Sequence, residues 1–291
     1  MPSLRDTRLR IRAISQTLKV TKAMNLISTS KMRKGKTVLA NSEPYFNRIQ
    51  RTMTNILNGV GQVNSPYFKS GKGGTAIVVV MSDKGLAGGY NSNVYHYVLD
   101  LCTTIKDPSL IVIGQVGQRY FEGSPLQTLK TFCFNGKLPD ASDADKVSQF
   151  VFNQFADKDF AEIRLVYTRM VNILKHKPEE RLLLPFNRDE MRKLRYNEGE
   201  VPLAKNEHFE YLPSPEEVFN ALAPQYVAGL IYGGMLEGYA SEQAERMTAM
   251  DQSSRNAEDM LAKLQLFYNR ARQANITQEI TEISAGTAAL A

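Results

Sequence analysis

The chain has 291 residues, a net charge of +6, 43% apolar and 23% charged residues, the balance of a soluble protein with one large or two modest domains. It contains no run of eighteen or more apolar residues, which excludes a conventional membrane-spanning helix, and its N-terminus has no apolar leader core. Its two cysteines, Cys102 and Cys133, lie far apart, and its only histidines are His96, His176 and His208, so neither a disulfide framework nor a metal centre is expected.

Residues 4–58 read as helix. Leu4, Ile11, Ile14 and Leu18 recur at coiled-coil spacing, after which the apolar phase moves to Val20, Met24 and Ile27 and a strict heptad is expected to lapse. Gly35 weakens the helix, and Glu43-Pro44 predicts a bend or break. The first 36 residues carry ten basic side chains against Asp6 alone, a surplus that calls for an acidic partner or a nucleic acid.

The region 75–205 changes period. The β-branched run over 75–82 predicts a strand buried on both faces. A glycine-rich turn follows, then a helix over 92–106, strands over 109–114 and 127–134, and a helix over 143–157 with Val147, Phe150, Val151 and Phe155 on one side. Strands over 162–169 and 181–186 complete about five. Strands alternating with helices predict a parallel or mixed sheet covered by helices. The polar stretch 187–213 is expected to be loop or edge.

Ser214-Pro215-Glu216-Glu217 places a capping serine, a first-turn proline and a glutamate three residues after the cap. Pro224 predicts a short first helix and a restart. Residues 225–287 then contain no proline, and Met260, Leu264, Phe267, Ala271 and Ala274 recur at steps of four and three. A helix that long without a core of its own must pair with another, and the N-terminal helix is the candidate. The predicted domains are thus an N-terminal coiled-coil helix over 1–60, an α/β domain over 75–205 and a C-terminal coiled-coil helix over 214–291. The fold class is α/β: a long antiparallel coiled coil of the chain ends with an inserted doubly wound, Rossmann-like domain.

The loop Ser82 to Asn91 (SDKGLAGGYN) stands between a strand and a helix, where α/β proteins hold phosphates. It lacks both the Gly-Lys-Ser/Thr ending of a P-loop and a dinucleotide fingerprint. Its glycines are equally explained by a tight turn. The basic N-terminal helix has no aromatic residue before Tyr45, so an acidic protein partner suits it better than nucleic acid. No Ser/His/Asp, Cys/His or carboxylate pair marks a catalytic site.

Three stretches, in order, resemble the gamma-subunit family of rotary F-type ATP synthases. They are Ile11 to Lys36 with Thr21-Lys22-Ala23-Met24, the loop Ser82 to Asn91, and the pair Ser241 to Met247 (SEQAERM) and Ala271 to Ile283 (ARQANITQEITEI). The resemblance covers essentially the whole chain. It implies a central rotor shaft without chemistry or cofactor of its own. The shaft would stand in a ring of three alpha and three beta subunits, its foot on the epsilon subunit and the membrane-embedded c-ring. It implies beta-subunit contacts through Met24, Lys22, Lys31 and Arg33 and through Arg272, Gln273 and Thr277. It further implies a bacterial protein at the cytoplasmic face of the membrane, attached only through the c-ring, with no nucleic-acid partner. Ala87 replaces a cysteine common in the family. The alternative is a nucleotide-binding α/β enzyme with helical extensions, its site at the glycine loop.

Overall fold

The computed structural model describes residues 4–60, 63–156, 160–173, 175–193 and 210–290. Two helices, α1 (Leu4–Gly59) and α6 (Pro215–Leu290), are the longest elements. The chain divides into two compact units, Met1–Thr29 with Arg246–Ala291, and Ser30–Glu245, so each long helix contributes to both.

The unit Ser30–Glu245 is built on a five-stranded sheet in the order β3-β2-β1-β4-β5. Its strands are β1 (Gly74–Val80), β2 (Pro108–Ile113), β3 (Gln127–Phe132), β4 (Phe160–Met170) and β5 (His176–Leu184). The first four pair in parallel and β5 runs antiparallel to β4. Between them lie α2 (Tyr90–Thr104), α3 (Gln115–Phe121) and α4 (Ala141–Ala156).

Side chains of β1, continued by Met81 just after it, alternate between two cores, as the two-residue period of a strand requires. Ile77, Val79 and Met81 join Val94 and Val98 of α2 and Phe121 of α3 on one face. Ala76, Val78 and Val80 join Val147, Val151 and Phe155 of α4, together with residues of α1 and α6, on the other. The predicted stripe on α4 is therefore inward, with Phe150 half-buried beside it. Gly114 closes the turn from β2 into α3 at φ 110°, where a Cβ would stand 2.5 Å from the Met81 carbonyl oxygen; glycine alone fits there.

Neither proline breaks its helix: α1 passes through Pro44 and α6 through Pro224. A helix-interior proline costs about 3 kcal/mol. Beyond Pro44, however, the helix places Ile49, Met53, Ile56 and Leu57 in the core, each worth roughly 1.5–3 kcal/mol when buried. Beyond Pro224, Tyr226, Val227 and Ile231 do the same. Burial outweighs the lost hydrogen bond. Phe46 lies against Gly229, where a Cβ would stand 2.1 Å from its ring, so this glycine sets the closeness of α1 and α6 within the unit. The cap of α6 forms as expected, with the Glu217 N–H donating to Ser214 Oγ at 3.2 Å.

The polar stretch expected as loop contains a short helix, α5 (Arg188–Lys193). Residues 194–209, including the predicted domain limit at 205, lie outside the described residues. A 3-10 turn at Pro66–Phe68 and α3 were also not anticipated; both are too short to show a helical period.

Candidate partner-binding site

In the unit formed by the chain ends, α1 and α6 run antiparallel. Leu4, Thr7, Ile11, Ile14, Leu18, Thr21, Asn25 and Ser28 are all buried or half-buried, an unbroken three-four heptad seam. The expected lapse at Leu18 does not occur. Val20 and Ile27 are 56% and 54% exposed, because the seam continues through Thr21, Asn25 and Ser28 instead. The opposing seam is Met250, Ser254, Ala257, Leu261, Leu264, Tyr268 and Ala271. Of the predicted α6 positions Leu264 and Ala271 face inward, whereas Met260, Phe267 and Ala274 are exposed. The register set opposite Thr21 and Asn25 turns them out.

Polar contacts fix that register. Thr21 Oγ1 and Ser254 Oγ are 2.8 Å apart, and Asn25 Nδ2 donates to the Met247 carbonyl at 3.0 Å. Lys22 Nζ pairs with Glu258 Oε1 at 2.6 Å, both side chains about half exposed. In this register Leu4 falls opposite Ala271. Over residues 272–285 every side chain of α6 is exposed.

The expected contact residues occupy distinct places. Arg272, Gln273 and Thr277 sit at the start of this uncovered helix, with Thr277 Oγ1 donating to the Gln273 carbonyl at 2.9 Å. Met24 is half-buried beside the seam and Lys22 is held by Glu258. Lys22 and Arg272 are therefore separated by about fourteen residues of α6, roughly 20 Å at 1.5 Å per residue. Lys31, half-buried, and Arg33, exposed, belong to the other unit. Sequence periodicity overlooked the exposed apolar side chains Leu9, Val20, Leu26 and Ile27 on α1 as a surface. Ile276, Ile280 and Ile283 add a second apolar stripe on the uncovered helix. Their signal was present, as apolar residues left over once a heptad seam is assigned.

The glycine loop is committed internally. Asp83 Oδ1 accepts from the Gln115 N–H at the start of α3 at 2.9 Å, and its Oδ2 accepts from Phe134 N at 3.1 Å and Gly136 N at 2.7 Å. Asn91 Nδ2 lies 2.7 Å from Ser82 Oγ, and the Ser82 N–H donates to Asn91 Oδ1 at 3.0 Å. A carboxylate thus fills the place where the strand ends would present N–H groups to a phosphate. The adjoining cavity is only about 40 Å³, far below the size of a nucleotide site.

The Ser241 to Met247 run is likewise structural in its first part. Ser241 Oγ donates to the Thr168 carbonyl at 3.0 Å, and His176 Nδ1 lies 3.1 Å from Glu245 Oε1, fastening α6 to the β4–β5 hairpin. No helix among the described residues is long and apolar enough to cross a membrane, and no group of three or more metal-ligating side chains converges there.

A family model described as ATP synthase matches residues 3–290. The chain is similar to the ATP synthase gamma chain of Acetivibrio thermocellus, 38% identical over the full length of both. In fold it is similar to the central stalk and c-ring structure of the Tetrahymena thermophila mitochondrial ATP synthase, with a TM-score of 0.60 and 24% identity over 81% of this chain and 99% of that one. It also matches the rotor of the Euglena gracilis mitochondrial ATP synthase, with a TM-score of 0.66 and 15% identity over 94% and 98% of the two chains.

Proposed function

This chain belongs to the ATP synthase gamma-chain family and serves in the complex's central stalk, and we propose that it is a non-catalytic shaft whose uncovered α6 segment is gripped by a ring of alpha and beta subunits. The observation that carries this reading is the helix over residues 272–285, exposed on every side. An isolated helix of that length is marginal in water, and one bearing Ile276, Ile280 and Ile283 on its surface needs a sleeve. Arg272, Gln273 and Thr277 would hydrogen-bond acidic or polar loops of that sleeve.

The α1 surface supports a second contact. Arg5, Arg8, Arg10, Arg12, Lys19 and Lys22 outnumber Asp6, and a ring of acidic levers would attract this face without locking it, since exposed charges at cellular salt are screened within about 8 Å. Met24, Lys22, Lys31 and Arg33 are assigned to that contact. The paired helices resist twisting because each seam residue is held by neighbours on the opposite helix. The α/β unit is assigned to the epsilon subunit and the c-ring, and the chain to the cytoplasmic face of a bacterial membrane as a peripheral component.

The test is reconstitution with alpha and beta subunits. Replacing Arg272, Gln273 and Thr277 together by alanine is expected to lower ATP hydrolysis several-fold and leave the melting temperature of the isolated chain unchanged. Undiminished hydrolysis and undiminished ATP-driven ion pumping would remove these residues from the grip. Titration of ATP into the isolated chain separates the shaft from a nucleotide-binding enzyme: stoichiometric binding would favour the enzyme.

A further inference from the structure

Within the unit Ser30–Glu245, α1, α6 and the β4–β5 hairpin enclose a half-open cavity of about 190 Å³, room for several waters or one small organic molecule. Its walls are chemically mixed. Leu39, Phe46 and Leu230 supply apolar surface, and Asn47 and Gln50 present side-chain amides. Two carboxylates, the exposed Glu43 of α1 and the half-buried Glu237 of α6, also line it; neither forms a hydrogen bond or close ion pair with a described residue, although Arg169 and Arg181 stand near enough to act on the Glu237 charge. Among the described residues one cation, Arg181, lines the cavity, near enough to the Tyr226 hydroxyl to oppose the rise in its pKa that burial causes. Glu179 is already satisfied by the Tyr167 hydroxyl, which donates at 2.6 Å, and by Arg169.

We propose that this cavity is a binding site for a small organic cation, a primary amine or amidinium carried on a short apolar body. An ammonium or amidinium has several N–H donors and no acceptor, which complements two unpaired carboxylates and two amide oxygens. The ring of Phe46 and those of Tyr167 and Tyr226 line the same space and favour a cation over a neutral guest. A divalent metal suits the site poorly, because no set of three metal-ligating side chains converges among the described residues. Two further observations agree. Burial pushes the Glu237 carboxyl above its ordinary range, with Arg169 opposing the rise and the Glu179 and Glu43 charges adding to it, as expected of a carboxylate withdrawn from water. Gly233 lines the cavity, and a Cβ there would meet nothing within 4 Å, so the space is kept open at that point.

The cavity shares no lining residue with the proposed beta-subunit contacts Lys22, Met24, Lys31, Arg33, Arg272, Gln273 and Thr277. Benzamidine titrated into the full-length chain at neutral pH, followed by calorimetry, is expected to bind saturably with a Kd of roughly a millimolar or tighter. Benzoate, of similar shape and opposite charge, is expected not to bind. Glu237→Gln should weaken benzamidine about tenfold or more, a loss of the order of one charge-assisted contact. Gly233→Leu, which grows a side chain into the open space, should abolish binding. Circular dichroism melting establishes that each variant is folded, and Glu237→Gln alone suffices should the leucine variant not fold. Absence of saturable binding, equal binding of benzoate, or a folded Glu237→Gln protein that binds as well as the parent would each overturn the proposal.

Discussion

Asp83 shows how one residue can decide between two functions. A carboxylate at the end of β1 accepts three backbone N–H groups from two other segments, so it ties the strand ends together where an enzyme would place a phosphate. Hydrogen bonds to a charged group are worth about 1.5–3 kcal/mol each, toward the lower end here, where one donor is exposed and two are part-buried. Asp83→Ala is therefore expected to lower the melting temperature by several degrees without creating nucleotide binding. Differential scanning calorimetry with and without ATP checks both halves. Glu237 gives a prediction of opposite sign. Its folded-state pKa lies above the unfolded value of 4.5, so its contribution to stability is present below that pH and is lost as pH rises through the folded pKa. Glu237→Gln should consequently melt above the parent at neutral pH, with the gap closing as the pH falls through about 4.5. A gap that widens on acidification would refute the assignment.

At the scale of elements, the seam between the chain ends explains what the sequence did and did not reveal. The sheet strands were legible because β-branched runs such as that over 75–82 alternate between two apolar cores. The α1 seam was legible only to Leu18. Beyond it the inward positions are Thr21, Asn25 and Ser28, and hydrophobicity alone follows Val20 and Ile27, which face outward. Prolines 44 and 224 misled for the complementary reason: a local rule was overridden by burial that lies several residues further on. Of the proposed contact residues, only the resemblance named Arg272, Gln273 and Thr277; physical reading of an exposed polar helix could not separate them from ordinary solvated groups.

Polar seam residues trade stability for register. The Thr21 and Ser254 hydroxyls each lie within reach of a carbonyl of their own helix, Leu18 at 3.1 Å and Met250 at 2.8 Å. Each has one proton, so their mutual contact draws one of the two away from its carbonyl. Asn25 adds a bond across to α6. Asn25→Leu is expected to hold or raise the melting temperature while relaxing the register. Disulfide trapping between paired Thr21→Cys and Ser254→Cys substitutions, efficient in the parent, should become slower and less complete in the Asn25→Leu background. Unchanged trapping would mean that Asn25 does not set the register.

On the scale of the molecule, the buried cores and the segment proposed to bind partners are different parts of the chain. The α/β unit buries its sheet on both faces, and the chain ends bury one seam as far as Ala271. The exposed segment that follows contributes no buried side chain over residues 272–285. Among the described residues its side chains form local pairs such as Gln278 Nε2 donating to Glu282 Oε1 at 2.9 Å, each worth about 0.2–0.5 kcal/mol. Ending the chain after Ala271 should thus shift the melting temperature of the isolated protein by no more than about two degrees, since one kcal/mol moves a domain of this size by roughly 2–4 °C. The same truncation should weaken assembly with alpha and beta subunits, because it removes both the Ile276, Ile280 and Ile283 stripe and Arg272, Gln273 and Thr277, the side chains proposed to be gripped. Calorimetry of the isolated chain and gel filtration of the reconstituted complex measure the two effects separately. A large fall in melting temperature would show that the segment folds back on its own chain, and the sleeve it is proposed to need would then be internal.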